Sequence, residues 1–193
     1  MRKIFVIMLL ALVPVMFFAD PFGLKMGMNK NDVKKACNGT SPEYVENDCY
    51  YIYPAKTHPL FKHYVAYIDD EMGLYGIKAV SDDISTNDYG TEIKNAFSEI
   101  KERVSKTYGV PRIIDEIDSK SIWKGDNYWV TALSEGARTY AAIWETTINN
   151  KLKDNLDYVC IYANANYLRI GWIILEYGFS NMNAVKDAQD DVF

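Results

Sequence analysis

The 193-residue chain is poor in the residues that usually do chemistry: two histidines and three cysteines, none in a catalytic motif. His58 and His63 stand five apart around Pro59 in HPLFKH and match no common zinc spacing. No G-x-S-x-G elbow is present to expose a nucleophilic serine. Cys-x-x-Cys is missing too, which argues against a redox-active thiol pair. The stretch DDISTNDYGTE places Asp83, Ser85 and Asn87 at the alternate positions of a calcium loop. Its sixth position is Asp88 rather than glycine, and its twelfth is Lys94 where a bidentate glutamate is needed. No metal and no cofactor is implied.

Positive charge is scarce as well. Arg2 and Lys3 lie in a leader, which leaves the rest of the chain 19 basic against 26 acidic residues, a formal charge of −7. Nucleic acid, bound largely through Lys and Arg on phosphates, is thereby disfavoured as a partner. An anionic membrane surface is disfavoured for the same reason.

One apolar run exists, Ile4 to Phe18, and it is shorter than the roughly 18 residues a spanning helix needs. It also contains Pro14, follows Arg2 and Lys3, and precedes the small residue Ala19. This is the layout of a secretory signal over residues 1–19. Phe17 sits where a cleavage site usually has a small residue, so a retained anchor is the alternative. No cysteine lies near the cleavage point to carry a lipid. Residues 20–193 then suit a single domain. At 49% hydrophobic and 14% aromatic, the chain has the means to bury a core.

In an oxidising compartment Cys37 and Cys49 are the natural disulfide pair, with Cys160 left over. Asn29 is placed to cap a short helix from Lys30 to about Asn38, Asp32 to complete a weak capping box, and Gly39 to end it. Val33, Ala36 and Cys37 share one face of that helix, and a loop through Pro42 leads to Cys49. A bridge would contribute about 3 kcal/mol on the chain-entropy account. Two buried free thiols are the alternative, since spacing does not fix pairing.

Beyond this point the pattern has period two. CYYIYP, HYVAYID and LYGIKAV read as strands, the last two joined through DDEMG. Ile93, Phe97, Ile100 and Val104 define a long helix that Gly109 and Pro111 terminate. NYWVTAL and RTYAAIWE read as a hairpin through SEGA, and YVCIYANA with LRIGWIILEYGF as another around Asn166. A closing helix is expected from about Asn181, capped by Ser180, with Met182, Val185 and Val192 on one side. The order predicts an α+β fold with a mostly antiparallel meander sheet and two to three helices. Helix-then-strands occurs twice, which suggests a diverged internal duplication with halves 20–86 and 87–193.

The stretch FGLKMGMNKNDV resembles the opening of small bacterial envelope domains, with Gly23, Leu24, Gly27, Met28, Asn29 and Val33 carrying the likeness. The BamE-type outer-membrane assembly lipoproteins and the β-lactamase inhibitor protein-like folds share that helix-plus-meander arrangement. A broader likeness lies in KKACNGTSPEYVENDCYYIYPAKTHPLFKHY, TNDYGTEIKNAF, SKTYGVP and the SIW downstream. There the chain resembles a family of bacterial exported proteins without an assigned activity. That resemblance implies a periplasmic or secreted location in the bacterial envelope and a disulfide, and nothing catalytic.

Acidic clusters occur at Asp69, Asp70 and Glu71, and at Asp115, Glu116 and Asp118, in the manner of solvated turns. The remaining signal is aromatic: fifteen tyrosines and four tryptophans, many of them in strands. Alternation puts Tyr51 and Tyr53 on one side of their strand, and Tyr140 and Trp144 on one side of theirs. With helices on one sheet face only, such residues on the other would form a binding surface. The expected function is therefore protein binding, with an envelope or secreted protein as partner and a tyrosine-rich sheet face as the site. The alternatives are a hydrolase or glycan-acting enzyme using sheet-edge carboxylates, and a structural envelope component anchored in the membrane by a retained N-terminal segment.

Overall fold

The computed structural model describes residues 20–147 and 151–190; the expected signal segment and Val192 lie outside the described residues. Helix α1 (Lys30–Ala36) starts at Asn29, whose Oδ1 accepts the backbone N–H groups of Asn31 and Asp32 at 2.9 and 3.0 Å. Asp32 turns away from the cap and bonds Lys35 Nζ at 2.9 Å. Gly39 ends the turn at φ 87°, with its N–H on the Lys34 carbonyl at 2.9 Å. The preceding Gly27–Met28 pair has its own structural purpose. Gly27 N–H and Met28 carbonyl bracket Leu74 with two 2.9 Å hydrogen bonds. The backbones come so close that a Cβ on Gly73 would stand 2.4 Å from the Gly27 oxygen.

Strands β1 (Glu43–Glu46), β2 (Cys49–Ile52), β3 (Phe61–Asp69) and β4 (Gly73–Ser81) follow as one antiparallel meander. After the two-residue strand β5 (Ile84–Ser85) comes helix α2 (Thr91–Tyr108), which buries Ile93, Phe97, Ile100 and Val104, the four residues its spacing predicts. Then come β6 (Arg112–Ile117), the short helix α3 (Trp129–Ser134), β7 (Arg138–Glu145), β8 (Leu156–Ala165), β9 (Ile170–Phe179) and helix α4 (Met182–Asp190). Asn181 carries the carbonyl that receives the Val185 N–H at 3.1 Å, so the cap of α4 falls one residue after Ser180.

The fold is α+β. Eight strands run in the order β1-β2-β3-β4-β9-β8-β7-β6, every pairing antiparallel, with β5 added on β9. Segment 20–86 holds α1, the meander β1–β4 and the short β5, whereas the described part of 87–193 holds α2, α3 and α4 with the meander β6–β9. The meanders join through their last strands, β4 and β9. Helices α1, α2 and α3 cover one face. Beneath them lies a single core that includes Leu24, Val33, Ile77, Phe97, Val159 and Phe179.

Two expectations are corrected here. NYWVTAL is not a strand: Trp129, Val130, Ala132 and Leu133 are buried at helical spacing in α3. Trp129 also covers the left-handed Gly90 at the start of α2, where a Cβ would meet the indole at 2.1 Å. No disulfide links Cys37 and Cys49, and all three cysteines are free. Alternation explains this. Tyr50 and Ile52 enter the core with Cys37, so Cys49, one residue earlier, points to the opposite face beside Tyr67.

Candidate functional site

The face away from α1–α3 is built from cross-strand rows, whose directly opposed members share a side of the sheet. The first row is Cys49, Tyr67, Gly76, Gly178, Tyr158 and Glu145. The second is Tyr51, Val65, Lys78, Glu176, Cys160 and Ile143, and the third is His63, Val80, Ile174, Tyr162, Ala141 and Ile114. Apart from the buried Ile174 and Ala141 and the exposed Tyr51, the apolar members of the last two rows are half-buried.

Two glycines face each other at the joint of the meanders, and tyrosines lean over them from either side. A Cβ on Gly178 would meet the Tyr158 ring at 2.1 Å, and one on Gly76 would meet Tyr67 at 3.2 Å. Tyr75 stacks beside Tyr67 with ring centroids 5.9 Å apart. Helix α4 reaches this end of the face, where Met182 Cε stands 3.3 Å from the same Gly76 position. The joint is therefore a floor of backbone between aromatic walls.

An ion pair sits at its centre. Lys78 Nζ lies 3.7 Å from Glu176 Oε2 and 5.6 Å from the Tyr67 ring centroid. Tyr158 Oη donates to Glu176 Oε1 at 2.9 Å. Burial alone would lower the Lys78 pKa, but the Tyr67 hydroxyl and the Glu176 carboxylate outweigh it and hold the amine charged. Desolvation pushes Tyr75 up to about 12 and the Cys160 thiol up to about 11, the latter helped by Glu176 and Glu145. The raised pKa keeps the Cys160 thiol protonated at neutral pH.

The expected site residues divide between the two faces. Tyr51 lies in the second row, 46% exposed, and Tyr53 follows the end of β2 at 55%. Tyr140 and Trp144 stand on the helix side. Trp144 is 2% exposed and donates its indole N–H to the Gly109 carbonyl at 2.8 Å, while Tyr140 packs against Phe97 and Trp129 with centroids 4.4 and 5.3 Å away. The residues missed from sequence are Tyr67, Tyr75, Tyr158 and Tyr162. The signal for them was present as alternation along their strands, but alternation does not say which set is covered.

Other candidate residues have structural duties. His58 Nδ1 accepts the Leu60 N–H at 3.2 Å, and His63 is exposed on β3. Asp69 Oδ1 accepts the N–H groups of Glu71 and Met72 to form the β3–β4 turn, and Asp118 does the same for Lys120. Asp115 pairs with Arg138. Asn87 Oδ1 accepts the Tyr89 and Thr91 N–H groups, so the apparent calcium loop organises the start of α2. Among the described residues, no three metal-ligating side chains converge, and no helix is long and apolar enough to cross a membrane.

Comparison of the chain with family models, curated proteins and solved structures gave no match. The reading of this face rests on its own geometry.

Proposed function

We propose that this chain is an exported binding module whose open sheet face receives another envelope or secreted protein. One observation carries the reading: the face opposite α1–α3 keeps a half-buried set of tyrosines and aliphatic side chains, with Tyr51 exposed, around the paired Lys78 and Glu176. Tyrosine contributes contact area at low entropy cost together with a polar tip. A partly buried ion pair among these tyrosines, which a partner would cover, penalises partners that cannot match its charges, and so favours specificity over raw affinity. Glu43, Glu116 and Glu145 lie on the same side at the margins, opposite Tyr51, Thr139 and Tyr158. Arg112, opposite Ile143 on the same side, pairs with Glu145 at 3.3 Å, which leaves Glu43 and Glu116 as the acidic margins. The fitting partner therefore presents apolar surface around polar groups that match the Lys78–Glu176 pair, with basic groups toward Glu43 and Glu116.

Position-dependent photocrosslinking tests this. A crosslinker at Tyr162 should capture one discrete partner from a native envelope extract. The same group at Glu102, exposed on α2, should not. Tyr67→Ala should weaken that capture at least about tenfold, as truncating a central aromatic anchor does. Equal capture from both positions would sink the proposal.

A further inference from the structure

The first residues of the folded body are tied down against it. Chain ends are usually loose unless something ties them down. Here Pro21 is buried, and Phe22 adopts a left-handed φ of 54°, a strained value for a non-glycine residue. The Phe22 ring stands edge-on to Tyr64, Tyr177 and Phe61, with centroids 4.9, 5.9 and 6.3 Å away. Gly23 N–H returns to the Asp20 carbonyl at 2.9 Å and closes the turn.

Beside this turn stands a carboxylate with an unmet need. Asp154 and Asn155 occupy successive left-handed positions, φ 63° and 57°, at the approach to β8. Asp154 Oδ2 accepts from Tyr108 Oη at 3.3 Å, while its Oδ1 is shut away from solvent and has no hydrogen-bond partner. A buried charged acceptor left this way costs free energy, and an N–H-bearing cation is the group that relieves it. Asp20 and Asp154 line one cavity of about 280 Å³, with Lys25, Met26 and Asn155. Lys25 Nζ is engaged with the Asp20 carboxylate at 3.4 Å. Tyr108 is the last residue of α2, so the negative end of that helix dipole also favours positive charge nearby.

We infer that the missing cation is the chain's own new N-terminus. Hydrolysis of the Ala19–Asp20 peptide bond by an export peptidase consumes one water. It leaves a carboxylate on Ala19 and an α-ammonium on Asp20, and that ammonium pairs with Asp154 inside the cavity. Processing then completes the fold. The precursor, with a neutral amide at the same nitrogen, is the less stable form, which suits a chain that crosses a membrane unfolded. The inference rests on the export reading and is independent of the binding face.

The test uses residues 20–193, which contain every described element, released from a tag so that the chain starts at Asp20. A second chain starts at Ala19 and so moves the ammonium one residue outward. Each is made with Asp154 and with Asp154→Asn. The Asp20 start should melt about 2–4 °C higher, the shift expected for one net ion-pair interaction in a domain of this size. Asp154→Asn should erase that difference. Equal melting of the two starts would overturn the inference. So would an Asp154→Asn cost that is the same in both, which would assign Lys25 as the partner. If the Asn variants do not fold, N-terminal acetylation of the Asp20 chain makes the same comparison, and an unchanged melting temperature refutes the idea. The mass of the product exported from the full-length chain gives a separate reading: a start other than Asp20 defeats the export premise and leaves the thermal result to stand alone.

Discussion

The two faces of the sheet are made from the same strands and similar residues, yet they are finished differently. On the helix side, aromatic rings meet other rings edge-on or tilted, as Phe97 does with Tyr140 and Tyr108 with Tyr177, and Trp144 has its single donor satisfied. On the open side, the Tyr67 and Tyr158 rings lie over glycine backbone and stay partly exposed, with Tyr75 beside Tyr67. The helix side has spent its aromatic surface on the chain itself, while the open side has kept part of it available. Residue type does not separate core from candidate site here; what covers each face does.

The largest expected effect probes the covered side. Phe97→Ala removes a ring sealed between α2 and β7 and should cost about 3–5 kcal/mol in denaturant unfolding. On the open side, Tyr51→Ala should fall within about 0.5 kcal/mol, the range of ordinary surface substitutions. If the two costs were alike, the distinction between the faces would collapse.

The distinction can be sharpened by thiol labelling. Protein unfolded without reductant should take up three alkyl groups, and uptake of only one would restore the Cys37–Cys49 bridge. In the native fold, buried Cys37 should label last of the three. With the Cys160 pKa near 11, its thiolate is scarce at neutral pH. Its labelling rate should therefore rise about tenfold per pH unit from pH 8 until it levels near pH 11. A plateau near pH 9 would show an ordinary exposed thiol.

Much of this fold was legible in the sequence because the physics was local. The four-three-four spacing of α2, the Asn29 cap and the turn between β3 and β4 depend on residues close together in the chain. What escaped depended on neighbours far away. NYWVTAL is a short apolar run that fits either period, and Gly90 under Trp129 decides for helix. β1 is exposed along its whole length and β6 along most of it, so neither shows the alternation that marks a half-buried strand. For the site, alternation paired Tyr51 with Tyr53 and Tyr140 with Trp144. Only the β7–β8 register and the seat of α2 show that the second pair belongs beneath the helices. The expected bridge failed similarly: a cysteine's place along the chain was readable, but the face it takes was not.

The joint between β4 and β9 also sets an order of events. Six of the seven neighbouring pairs along the eight-strand path link consecutive strands, with β5 set aside, whereas Gly76 and Gly178 are roughly a hundred residues apart when they pair. Hairpins close early because their loops are short; this contact must gather most of the chain and is accordingly slow. A polypeptide emerging from its N-terminus completes the first meander long before β9 exists. During that interval β4 is a bare edge, and the time β9 takes to arrive sets how long the chain is open to pairing with a neighbour.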